Sequence, residues 1–179
     1  MKKITLIILL FITITTLAQN EMITTKGVIS FEASIPLYEE NKATNESVYC
    51  ILDIKTGEIK SLVIIKNFYF KIPLMEEHFN ENYLESDRYP KASFKGKILG
   101  FNWNSIGTAS KEFKMKGKLE IHGKRKEITI LVLLKKVENG LEITSDFDVN
   151  LNDYNIKIPK ILTIKIAETA NIKTSYLLK

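Results

Sequence analysis

Two histidines, one cysteine and a run of glutamates are the side chains of this 179-residue chain that could do chemistry beyond packing. His78 and Glu81 stand three residues apart, a spacing that puts both on one face of a helix and within reach of one metal ion, with His122 as a third ligand in principle. Local spacing supplies no third ligand, however, so no metal or other cofactor is expected, and His78 is read as bonding a loop or a ligand headgroup. Cys50 would act as a nucleophile only with a histidine folded against it. It shares the apolar register of Val48, Leu52 and Ile54, which makes it buried filler, and as the sole cysteine it cannot form an intramolecular disulfide. Glu76, Glu77, Glu81 and Glu85 read as the solvated face of a helix. No glycine-rich phosphate loop or nucleophile elbow is present, so catalysis is not expected.

The remaining chemistry is that of apolar surface. Each methylene taken out of water contributes roughly 0.8 kcal/mol, so an interior lined by aliphatic and aromatic residues binds a hydrocarbon chain with almost no polar contacts. Phe31, Phe94, Met115, Leu119, Ile130 and Phe147 fall in one inward register and are expected to line such an interior. His78 and Phe79 on the helix complete the expected set of ligand-binding residues together with Phe70 and Tyr154, which either line the mouth or form core under a long loop.

Most of the chain that must position these residues reads as strand. Alternation marks strands over 27–35, 48–54, 59–66, 92–101, 113–121, 128–134, 141–149 and 170–176. Lys55-Thr56-Gly57-Glu58, the hairpin around His122-Gly123 and Asn139-Gly140 supply tight turns. Pro36 ends the first strand, and Glu39 to Glu46 reads as a polar loop; the Asn45-Glu46-Ser47 glycosylation pattern falls in it and is taken as ordinary loop. The third strand is apolar on both faces and needs a cover, for which a helix over Leu74 to Leu84 is one candidate. Gly96, Gly100 and Gly117 lie inward, either bending strands or leaving room for a guest.

One stretch breaks the pattern. Leu74, Met75, Phe79, Tyr83 and Leu84 recur at helical spacing between the third and fourth strands, and Tyr89-Pro90 stops the helix. This helix and the irregular stretch from Asn150 to Pro159 are the expected closures of the interior; a short helical turn is expected over 161–166. Eight antiparallel strands with one wet face form either a sandwich or a closed barrel.

Lys2 and Lys3, the apolar run from Ile4 to Leu17 and Thr16-Leu17-Ala18 read as a secretory signal peptide cleaved after Ala18, leaving one domain over 19–179. That run is too short to span a bilayer. A periplasmic or secreted, soluble product is expected. The formal charge is +5, of which the two leader lysines contribute two, and the dispersed lysines do not indicate nucleic acid. Pairing into a homodimer is left open.

The segment His78 to Pro90, followed by Lys91-Ala92-Ser93-Phe94, and the hairpin Gly117-Lys118-Leu119-Glu120-Ile121-His122-Gly123 resemble signatures of the YceI-like family. That resemblance covers nearly the whole mature chain. It implies a lipocalin-like eight-stranded antiparallel barrel and, since some members hold a polyisoprenoid, a lipid-like or isoprenoid ligand. Glu76-Glu77 stands where an Arg-Asp pair often precedes the family's helix histidine, so the resemblance leaves the ligand's identity open. The competing readings are an interaction or stress-response module with a barrel filled by its own side chains, and a metal-dependent enzyme using His78.

Overall fold

Alternation of apolar and charged residues sets eight long strands. The structure, a computed structural model, describes residues 20–35, 41–162 and 166–179. The strands are β1 (Glu21–Ser34), β2 (Lys42–Asp53), β3 (Glu58–Ile64), β4 (Tyr69–Phe70), β5 (Lys91–Ile98), β6 (Lys111–Ile121), β7 (Lys124–Val137), β8 (Gly140–Asn150) and β9 (Ile166–Leu178). β4 is a two-residue piece paired with Ala43 and Thr44 of β2. The other eight run antiparallel in the order β1-β9-β8-β7-β6-β5-β3-β2, and β1 pairs again with β2. That last pairing decides between the sandwich and the barrel: it closes the sheet, so among the described residues no long strand is left with an open edge.

The inward face divides into two halves. At one end Leu52, Ile98, Leu134, Leu141 and Leu178 are fully buried and fill the barrel with side chains. Each such side chain contributes roughly 1.5–3 kcal/mol by leaving water, so this filled half stabilises the fold. At the other end the inward residues surround empty space. Its closure comes from α1 (Pro73–His78), a π-helical turn at Phe79–Tyr83, and a 3-10 turn at Leu151–Tyr154. The Leu84 amide donates to the Phe79 carbonyl at 2.9 Å, five residues back, and this wider turn lets both Tyr83 and Leu84 face the hollow.

Several expectations need correction. The polar stretch read as a loop to Glu46 already belongs to β2 from Lys42. Asn45 within it is wholly buried: its Nδ2 donates to the Ile64 carbonyl at 3.0 Å, and its Oδ1 accepts from the amide and hydroxyl of Ser47, both at 2.9 Å. The side chain supplies a bond where β3 ends and the ladder to β2 runs out, which is why a polar residue stands inside a strand. β5 stops at Ile98, and Gly100 sits beyond it in a turn at φ +69°, outside the inward register. α1 turns its apolar residues to the hollow and leaves Leu62 and Ile64, on the outer face of β3, only half-buried. A 3-10 turn spans Lys160–Leu162, and β9 has begun by Ile166; residues 163–165 of the expected turn lie outside the described residues. So do the expected leader and Pro36.

Gly96 and Gly117 do face inward, directly opposite each other on β5 and β6. The space their missing side chains leave is taken by the protein itself. A Cβ on Gly117 would stand 2.6 Å from Cζ of Phe94 and 2.5 Å from the Lys95 carbonyl oxygen.

Candidate functional site

The hollow half holds a cavity of about 620 Å³. β1, β3, β5, β6, β7, β8 and β9 each contribute wall residues, among them Phe31, Val63, Phe94, Met115, Ile130 and Ile172. None of the described residues that line it is a lysine, arginine, aspartate or glutamate. The mouth lies by α1, where Leu74 is 57% exposed and His78 is also exposed at the rim.

Phe79 fastens the helix to the barrel. Its ring stacks on Phe31 at 5.2 Å and meets Phe68 and Phe70 at 5.6 and 5.0 Å, contacts worth about 0.5–1.5 kcal/mol each beyond burial. One face of this aromatic cluster, formed by Phe31, Phe68 and Phe79, belongs to the cavity wall.

Seven of the nine residues expected at the ligand line the cavity: Phe31, His78, Phe79, Phe94, Met115, Leu119 and Phe147. Phe70 and Tyr154 do not. Phe70 is buried behind Phe31 and Phe79, because β4 pairs it into the barrel edge next to β2. Tyr154 is 3% exposed and packed under its own 3-10 turn, where burial, with a smaller push from Asp153, raises its phenol pKa. Ile156 and Ile158, two and four residues on, reach the cavity in its place.

Sequence reasoning missed the cavity's polar spot. Ser61 of β3, Ser145 of β8, and Thr174 and Tyr176 of β9 line its deep end, next to the filled half. Ser145 Oγ and Thr174 Oγ1 are 2.7 Å apart. The available signal was the alternation of β9, which places Thr174 and Tyr176 on the same face as Ala170 and Ile172.

The groups that could do other chemistry are placed apart. Cys50 is wholly buried, and burial pushes its thiol up to about 12, far from a reactive thiolate. His122 lies in the β6–β7 hairpin with Nδ1 3.1 Å from the Tyr154 carbonyl oxygen and Nε2 3.4 Å from a Glu85 carboxylate oxygen. Its ring meets Tyr89 edge-on at 4.5 Å. Among the described residues, no group of three histidine, cysteine, aspartate or glutamate side chains is arranged to hold a metal ion, and no helix is long and apolar enough to cross a membrane.

The fold has solved relatives. A polyisoprenoid binding domain from Saccharophagus degradans, implicated in plant cell wall breakdown, superposes with a TM-score of 0.76 over 89% of this chain and 98% of that one, at 10% identity. Burkholderia cenocepacia BcnA matches with a TM-score of 0.70 at 15% identity, over 86% of this chain and 96% of its own. A Campylobacter jejuni YceI protein matches with a TM-score of 0.54 at 16% identity, over 74% and 81%. At these identities the likeness concerns the fold. No curated protein matches the chain significantly. The model of the YceI-like domain matches residues 12–176, nearly the whole sequence, and the chain belongs to the YceI-like family.

Proposed function

We propose that this chain is an exported, non-catalytic binding protein that holds a long apolar or amphiphilic molecule, an isoprenoid or similar lipid, inside the barrel. The observation that carries the reading is the cavity of about 620 Å³ with aliphatic and aromatic walls and a mouth beside α1. Such a volume suits a small-molecule site, and apolar walls bind a hydrocarbon by burial alone. The Saccharophagus degradans relative, described as polyisoprenoid binding, supports the ligand class. Two placements support the absence of catalysis: Cys50 is sealed in the core, and His122 is held by Tyr154 and Glu85. Export rests on the basic, apolar and small-residue order of residues 1–18.

Mass spectrometry of an organic extract of the purified protein tests the ligand, with a stoichiometric lipid as the expected result. An empty extract, together with no binding of added farnesol, overturns the reading. Export is checked by the N-terminus of the secreted product, expected near Gln19.

A further inference from the structure

Four hydroxyls meet at the deep end of an otherwise apolar cavity. Ser145 and Thr174 are cross-strand partners on β8 and β9 whose oxygens stand 2.7 Å apart. Tyr176, two residues along β9, sends its ring over β1 at Gly27, where a Cβ would stand 2.6 Å from the ring's Cδ1. Its hydroxyl thereby comes beside Ser61 of β3 as well as Thr174. Ser61 and Thr174 face inward in the alternation of their strands, and both keep partial exposure, which opens into the cavity.

Hydroxyls in apolar surroundings are unfavourable unless they find hydrogen-bond partners. Each offers one donor and two acceptor lone pairs, so the cluster has capacity left after its members bond one another. A pure hydrocarbon filling the cavity would shut these oxygens off from water and leave that remaining capacity unused. A ligand oxygen would complete them. That oxygen must be uncharged, because no described lysine or arginine lines the cavity and a buried phosphate or carboxylate would stand without a counter-charge.

We infer that Ser61, Ser145, Thr174 and Tyr176 form a headgroup site at the cavity floor, which takes the uncharged hydroxyl or carbonyl end of an apolar chain and leaves the tail toward the mouth at α1. This rests on the cavity-binding reading above and adds to it a ligand polarity and an orientation. The cluster selects a long-chain alcohol, aldehyde or ketone over the bare hydrocarbon of the same skeleton, and it excludes an anionic head from the floor.

Displacement of the uncharged dye N-phenyl-1-naphthylamine by farnesol and by farnesene, which share a skeleton and differ in the oxygen, tests this. In the wild-type protein farnesol is expected to bind about three- to tenfold more tightly, the worth of about one net hydrogen bond. In Tyr176→Phe and in the double variant Ser145→Ala with Thr174→Val, the ratio of the two affinities is expected to fall to about one. Equal wild-type affinities overturn the headgroup site and leave the cavity reading standing; this arm needs no variant. A ratio that survives in both variants overturns it as well. Displacement by neither ligand removes the cavity reading, and this inference with it.

Discussion

The ring of His122 stands with Nδ1 3.1 Å from the carbonyl oxygen of Tyr154, thirty-two residues on. A carbonyl only accepts, so Nδ1 carries the proton and donates it. The bond joins the β6–β7 hairpin to the 3-10 turn that leads into Ile156 and Ile158 at the cavity. The hairpin can offer the ring because His122 and Gly123 both take positive φ, 51° and 68°, as a two-residue turn between twisted strands requires. Tyr89 packs against both residues and fixes the arrangement from the helix exit.

His122→Ala is therefore expected to lower stability by about 1–3 kcal/mol, since it leaves a half-buried carbonyl without its donor. The local consequence is more telling than the global one. Hydrogen exchange of the Ile156 amide, which donates to Leu151 at 3.1 Å, should accelerate more than that of β8. Uniform acceleration across the barrel would show that the bond does not specifically hold the turn.

Asn45→Ala is expected to cost about 1–3 kcal/mol in urea unfolding. The Ile64 carbonyl loses its donor, and the Ser47 amide and hydroxyl lose an acceptor. Because Asn45 is wholly buried, a glycan on it is incompatible with the native barrel, so natively folded protein from a glycosylating host should carry none there. Glycan found on Asn45 of native protein would contradict the burial.

Gly117→Ala places a methyl 2.5 Å from the Lys95 carbonyl oxygen and 2.5 Å from Gly96 Cα. Those are backbone atoms, which cannot swing aside as the Phe94 ring can. The expected loss is at the upper end of, or beyond, the roughly 1–3 kcal/mol typical of overpacking. Gly100→Ala is the control: nothing lies within 4 Å of its Cβ, so the loss there comes only from positive φ. Equal losses at the two sites would mean that the β5–β6 contact yields more readily than the geometry indicates.

The barrel was legible because its strands keep strict alternation, as in Phe113, Met115, Gly117 and Leu119 of β6, whose intervening lysines face solvent. What alternation cannot convey is depth along the barrel axis. Met115 and Phe113 look alike in sequence, yet Met115 lines the cavity and Phe113 belongs to the filled end. The β2 boundary was missed because Asn45 is a polar residue serving a single backbone carbonyl, and composition reads it as loop. Phe70 was misplaced because only its pairing with Ala43, twenty-seven residues away, sets it behind the cavity wall.

Burial raises the Cys50 thiol from 9.0 to about 12. The unfolded thiol ionises near its ordinary value while the folded one keeps its proton. The contribution of this group to stability is thus fully present below about pH 9 and falls as pH rises through the window from 9.0 to about 12. Native protein at pH 8 should not react with a thiol-specific disulfide reagent, whereas urea-unfolded protein should release one equivalent. Cys50→Ser should remove the thiol's share of the alkaline loss. Rapid labelling of native protein would place the thiol outside the core.

Ile130 and Val132 share the inward face of β7, two residues apart, and the structure assigns them to different halves of the barrel. Val132 is 1% exposed within the filled core; Ile130 is half-buried and borders the cavity. A phenylalanine at each position therefore meets opposite surroundings. Val132→Phe forces extra atoms into close-packed side chains and is expected to cost about 1–3 kcal/mol. Ile130→Phe expands into vacant space, gains contacts on a formerly bare side and should leave stability within about 0.5 kcal/mol of wild type. The same change consumes volume that a ligand needs, so binding of farnesol should weaken even though the fold persists. A loss of stability at Ile130 as large as at Val132 would show that the hollow half is packed in solution, and the division of the barrel into a filled end and a receptive end would have to be given up.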